Sequence, residues 1–225
     1  MVKKTTPAPT TDRPKRTRLA PEERRKRLID AAAEVVLEHG VHGMTMEAVT
    51  ERAGVSRGLG YFYFETTADL VRALYKREFG SIYEALIPAL EGAGTLEERV
   101  RAKVHAYFDM VERRHDLFAQ LNTALDGPEY RRDRRERFLW WEGYVADLVG
   151  DEFDVDPKLA RILSRLLMAV DGRCVNMWYR EKMPRADVEE ICVRFQLGGL
   201  RDVLGIDPTA PSSPTSNHRA RRTPA

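Results

Sequence analysis

Residues 45–70 read TMEAVTERAGVSRGLGYFYFETTADL. Thr45 is an acceptable N-cap for a short helix that Gly54 ends, and Gly54 permits a tight turn at Ala53-Gly54-Val55. Ser56 caps a second short helix running to about Tyr63, and Thr66 with Asp69 three residues later caps a longer one. Ala53 is small enough to let the two short helices approach, while Val49 and Val55 can fill their junction. Arg57 and Tyr61, four residues apart in the second, share a face. A helix fits the major groove of duplex DNA, where Arg57 can offer a fork of donors to guanine O6 and N7 and Tyr61 can reach a base or a phosphate. The same spacing also describes a tight corner in an ordinary helical bundle.

Working outward, the pattern is helical almost without interruption between residues 21 and 207. A helix is expected from about Pro21 to His39, stopped by Gly40, with Leu28, Ile29, Ala32, Val35 and Val36 as one apolar stripe. The helix capped by Thr66 carries Leu70, Leu74, Phe79, Ile82 and Leu86 until Pro88, Gly92 and Gly94 break it. Thr95 with Glu98 forms a capping box for a helix to about Arg114, followed by a shorter one over 116–125. Pro128 starts another to about Val149, Asp156 and Pro157 a fourth to about Arg180, and Pro184 precedes a fifth, 186–204, ended by Gly205. About nine helices and no strand make the expected class all-α. The last two have more apolar surface than a peripheral helix needs: Leu159, Ile162, Leu163, Leu166 and Val170 in one, Val188, Ile191, Phe195, Leu200 and Val203 in the other. A protein–protein seam would absorb it.

Charge is unevenly spread. The formal net charge is +2, yet residues 1–27 hold ten Lys/Arg against three Asp/Glu, and 208–225 hold three Arg and no acid. The stretch between is therefore net acidic, and a basic arm on an acidic body suggests that one end meets a polyanion. Residues 1–20 and 208–225, built of Thr, Pro, Ser and basic residues, have too little to bury and are expected to be disordered. With 43% hydrophobic and 32% charged residues, the remainder can hold a real core in a soluble protein. No apolar run approaches the roughly 18 residues of a membrane span, and residues 1–18 lack the apolar segment of a signal peptide. The expected location is cytoplasmic. Cys174 and Cys192 show neither metal-ligand spacing nor a disulfide framework and read as buried reduced thiols.

The stretch 24–75 resembles the TetR family of regulators. It carries a basic first helix, RRKRLIDAAAEVVLEHG, then MTMEAVTERAGVSRG, the aromatic run YFYF, and TADLVRALY. The resemblance implies a three-helix helix-turn-helix domain over 21–66 and a helical ligand-binding and dimerisation domain over 67–207, in a homodimer that binds double-stranded operator DNA. It implies that Thr45 touches a phosphate and that Ser56, Arg57, Gly58 and Leu59 enter the major groove. Tyr61 and Tyr63 would contact the backbone, Phe64 would be core and Phe62 partly so. Two departures stand out. Position 60 is Gly where the family usually has an apolar residue, in a helix already weakened by Gly58; each Gly costs about 1 kcal/mol against Ala, so a loose, underpacked recognition helix is expected. The long helix starts with Glu65, Thr66 and Thr67 where a Lys is common, leaving Thr67 as the hydrogen-bond donor. Lys15, Arg16 and Arg18 of the arm are candidates to compensate on the phosphate strand or in the minor groove.

For the second domain the resemblance implies a ligand pocket, and a pairing of the last two helices with their copies in a partner. Tyr107, Phe108, Val111, Phe118, Leu121, Leu125, Phe138, Trp141, Tyr144, Met168 and Trp178 suit an apolar cavity and would equally serve a plain core; Asn122 and Asn176 could orient a ligand. The effector is expected to be small and hydrophobic, and to act by release of the operator. His105 and Asp109 share a helix face but read as a hydrogen-bonded pair rather than metal ligands. The run RRDRRER at 131–137 reads as a solvated helix face, since Asp133 and Glu136 interrupt it, with an anion-binding patch as the other reading. No catalytic triad, Walker loop or dinucleotide turn is present, so neither an enzyme nor a cofactor is expected.

Overall fold

The computed structural model describes residues 20–92, 94–124, 127–207 and 209, without the side chains of residues 122, 123, 128 and 129. Eight helices follow one another among the described residues: α1 (Pro21–Gly43), α2 (Met46–Ala53), α3 (Arg57–Tyr63), α4 (Thr67–Leu90), α5 (Leu96–Ala124), α6 (Pro128–Phe153), α7 (Pro157–Glu181) and α8 (Arg185–Leu204). The expected class is therefore observed, with one helix fewer than the pattern suggested. The stretch 96–124 contains no Gly or Pro, so nothing interrupts the backbone ladder near His115, and two expected helices are one.

Local chemistry explains most helix ends. Thr45 Oγ1 accepts from the N–H of Ala48 at 3.2 Å and Ser56 Oγ from the N–H of Leu59 at 3.3 Å. Thr66 and Asp69 exchange bonds of 3.1 and 3.0 Å in a full capping box, and Thr95 and Glu98 do the same at α5. Gly54 adopts φ 65°, ψ 37°, the left-handed conformation in which a Cβ is strained, and its N–H closes α2 onto Glu51 and Thr50. The helical path of α1 breaks at Gly40 (φ 74°), after which one more turn follows. Pro88 does not stop α4, which continues to Leu90.

Helices α1, α2 and α4 enclose an aliphatic core. Leu28, Val35, Val36, Val49, Leu70 and Leu74 are all exposed by 1% or less, and each such side chain stabilises by about 1.5–3 kcal/mol. This core also takes Leu117 and Leu121 from α5 and Tyr130 from α6, so the first three helices do not complete it alone. Along the other side, α6 runs parallel to α4. The pairs Ala68–Tyr130, Arg72–Asp133, Tyr75–Arg137 and Tyr83–Trp141 step up both helices together. Helices α7 and α8 close a second set of cores around Val145, Leu163 and Leu200, and around Val104, Phe108 and Cys192.

Candidate nucleic-acid interface and effector cavity

Ser56 starts α3 with its side chain spent on the cap, and the helix then exposes one edge. Arg57 is 62% exposed and Tyr61 41%, with the guanidinium 5.7 Å from the centre of the Tyr61 ring. The pairing with Tyr61 holds Arg57 charged more firmly than usual, while Glu47 stands 3.9 Å away. Gly58 is exposed beside them, Thr45 lies on the surface at the start of α2, and Leu59, Tyr63 and Thr67 are half-buried. Phe64 is core, as expected, and lies under the Arg25 guanidinium. Phe62 is not: at 79% exposure it is the most solvent-exposed large apolar side chain described, turned away from the core and edge-on to Tyr63.

The packing defect expected at Gly60 is reversed. Gly60 is buried, and a Cβ there would stand 2.5 Å from Thr50 Cγ2 and 3.0 Å from Met46 Sδ. Thr50 cannot swing aside freely, because its hydroxyl donates to the carbonyls of Met46 and Glu47. The missing side chain is what lets α3 lie close on α2.

The expected pocket residues divide among four environments. Trp141 and Met168 line a narrow cavity of about 60 Å³ between the end of α4 and helices α5–α8. Tyr107, Val111, Phe118 and Asn176 line an open cleft of about 330 Å³, whose other wall includes His115 stacked flat on Tyr179. Phe108, Leu121 and Tyr144 are packed core and line neither space; Trp178, half-buried, stacks on Phe108 and also lines neither. Phe138 faces solvent, because α6 turns Asp133, Arg137 and Trp141 inward instead. Lys15, Arg16, Arg18, Leu125 and the Asn122 side chain lie outside the described residues.

What the aromatic count missed is charge. Arg99 and Lys103, one turn apart on α5, are both buried on the cavity wall. Arg99 pairs with Glu152. Lys103 Nζ donates to both Asp171 oxygens (2.7 and 2.8 Å) and to Gln196 Oε1 (2.8 Å), and Gln196 Nε2 donates to Asp171 at 2.7 Å. Cys192 adjoins this group, and burial raises its thiol well above the usual range; burial also pushes the Cys174 thiol up. The available signal was Arg99 and Lys103 falling in register with the core residues Val100 and Val104. His105 and Asp109 join an ion network with Glu189 and Arg185.

The expected seam is partly interior. Leu163, Val188 and Leu200 are buried within the protomer and cannot face a partner, and Leu159 and Val170 are half-buried against its own cores. Ile162, Leu166, Ile191, Phe195 and Val203 remain outside, each more than half exposed. None of the described helices is long and apolar enough to cross a membrane.

Comparison with known proteins agrees with this geometry. Residues 28–74 match the family described as bacterial regulatory proteins, tetR family. The chain is 27% identical over 190 residues to the HTH-type transcriptional activator FasR of Mycolicibacterium smegmatis, covering 83% of this chain and 87% of that one. It is 29% identical over 125 residues to the fatty acid metabolism regulator protein of Bacillus subtilis, 55% of this chain and 63% of that one. The crystal structure of the transcriptional regulator FadR from Bacillus subtilis in complex with stearoyl-CoA shares the fold, with a TM-score of 0.63 at 20% identity over 77% of this chain and 98% of that chain. The tetR match over residues 28–74, with the likeness to FasR along most of both chains, places the chain in the TetR family: it is a DNA-binding transcriptional regulator and not an enzyme.

Proposed function

We propose that two copies of this chain pair through α7 and α8, and that each lays α3 in the major groove of one half of an operator. The observation that carries this reading is the joint exposure of Arg57 and Tyr61 on one edge of α3. Arg57 reads base edges; Tyr61, Tyr63, Thr45 and Thr67 hold the backbone and set the register. Phe62, standing fully out beside them, supplies an apolar surface for a thymine methyl group. The two α3 helices then have to sit one DNA turn apart, roughly 34–36 Å, a spacing set by the apolar seam of Ile162, Leu166, Ile191 and Phe195.

The effector we infer is an acyl chain with an anionic head. Two relatives support that class by name, one a fatty acid metabolism regulator and one a regulator solved with stearoyl-CoA. The apolar lining of the cavity suits the acyl chain, while Arg99 and Lys103 in its wall are already matched by Glu152 and Asp171. Because the cavity is narrow, a chain enters only when the helices around it move apart, and it therefore favours a form with a different α3 spacing. Operator release and repression follow. FasR, described as an activator, supports the opposite sign of control on the same fold.

Both parts are testable on an operator found by in vitro selection. Arg57→Ala should lower discrimination between operator and scrambled DNA by about 1–3 kcal/mol, roughly 5- to 150-fold, with the dimer intact in ultracentrifugation. A variant that still selects its operator normally overturns the assignment of the reader. Stearoyl-CoA should dissociate the wild-type complex in a gel-shift titration; a complex that survives saturating stearoyl-CoA and free stearate overturns release by an acyl effector.

A further inference from the structure

We propose that the arginine block at the start of α6 is a second DNA-binding surface, which grips phosphates of the duplex beside the half-site read by α3. It rests on operator binding through α3 and extends that surface into the second domain.

Position is the first argument. Because α6 runs parallel to α4, the two helices begin at the same end of the molecule, next to α3. The Tyr130 hydroxyl donates to the carbonyl of Ala68, in the first turn of α4, at 3.5 Å. Arg131 and Arg135 follow Tyr130 by one and five residues, about 1.5 and 7.5 Å along the helix axis. The block therefore starts level with the first turn of α4, and Arg134 and Arg135 lie level with Arg72 to Tyr75, one to two turns beyond Thr67.

Charge is the second. Asp133, which in the sequence dilutes the run, is buried and held by Arg72 through two bonds of 2.8 Å, which lower its pKa. Glu136 is matched by Arg132 at 2.8 Å. Arg137 turns inward over Tyr75. Arg131, Arg134 and Arg135 are exposed alongside the Arg132–Glu136 pair; of these arginines, Arg134 and Arg135 have no salt-bridge partner among the described residues. The start of α4, by contrast, offers Glu65, two threonines and Asp69 and no cation. The cation missing there is supplied from α6.

A regulatory consequence follows from the length of α6. Its first turns carry the arginines, and farther along Trp141, Val145 and Val149 wall the cavity. A ligand that displaces this helix moves its phosphate grip together with the reader.

The test is Arg134→Gln/Arg135→Gln in the full-length protein, two exposed positions whose change leaves the core intact. Binding to the selected operator is titrated between 50 and 300 mM salt, with melting temperature and dimer mass as controls. Each lost phosphate contact should make the log–log salt slope shallower by about 0.9, to a maximum of about 3.6 for the four side chains of a dimer. Operator preference over scrambled DNA should not change, and extending the duplex past the selected site should strengthen the wild type more than the variant. An unchanged slope overturns the proposal. So does a variant that binds operator normally yet no longer answers stearoyl-CoA, since the block would then hold the effector's head. Arg57→Ala is read by base preference and this variant by salt slope, so the two readings fail separately.

Discussion

Around α1–α3 the interior is small and aliphatic: Ala32, Val36, Val49 and Ala53 fill it, and the cation Arg52 binds Glu34 and Glu38 at the surface. Around α5–α8 the interior holds charge. Lys103, Asp171 and Gln196 form a buried cluster, Arg99 meets Glu152, and Glu142, 2% exposed, binds Arg165. An aliphatic core has no directional bonds to lose. A buried polar network stands only while every member is satisfied. One end of the molecule is held by apolar packing alone, the other also by buried charge pairs that the proposed effector would have to disturb.

The sharpest way to break that contrast is Lys103→Ala. It leaves Asp171 and Gln196 facing a void, and removing one partner of a buried pair costs about 3–5 kcal/mol. Urea unfolding should show it, and a loss below about 1 kcal/mol would mean that the cluster is wet and loosely held. Lys103→Met with Asp171→Leu should recover much of the loss, since apolar replacement of both partners relieves their desolvation.

At the reader end, two glycines separated by one residue should differ in sign. Gly60→Ala drives a Cβ against Thr50 and should destabilise by about 1–3 kcal/mol. Gly58 has nothing within 4 Å of its added Cβ, so Gly58→Ala should stabilise the free protein by up to about 1 kcal/mol. Equal effects in thermal melts would show that α3 does not press on α2 as described.

The smallest effect belongs to Phe62→Ala, within about 0.5 kcal/mol on stability, as for a surface change. Its signature is on DNA: exchanging operator thymines for uracil, which removes only the methyl group, should weaken the wild type and leave Phe62→Ala indifferent. If both lose equally, Phe62 reads no methyl.

Much of this was legible beforehand wherever the decisive chemistry is local. The caps at Thr45, Ser56, Thr66, Thr95 and Asp156, the breaks at Gly40 and Gly54, and the shared face of Arg57 and Tyr61 depend on residues within four positions of each other. The site in the second domain was less legible. Phe108 and Phe138 are the same residue type at plausible helical spacings, yet one is fully buried and the other faces water. Leu163 and Leu166 likewise read as one apolar run, and only the second stays exposed on the protomer.

By itself, then, the chain's sequence determined that the described protein is all-helical, where most of its helices are capped, and which short helix presents a cation and a phenol together. The tertiary structure alone decided that Gly60 is a contact and not a defect, that Lys103 is interior, and that the arginines of α6 lie at the end nearest α3. Periodicity states which side chains share a face. What stands opposite that face depends on residues some 60 positions away, as Arg72 and Asp133 are, and no local pattern encodes the pairing.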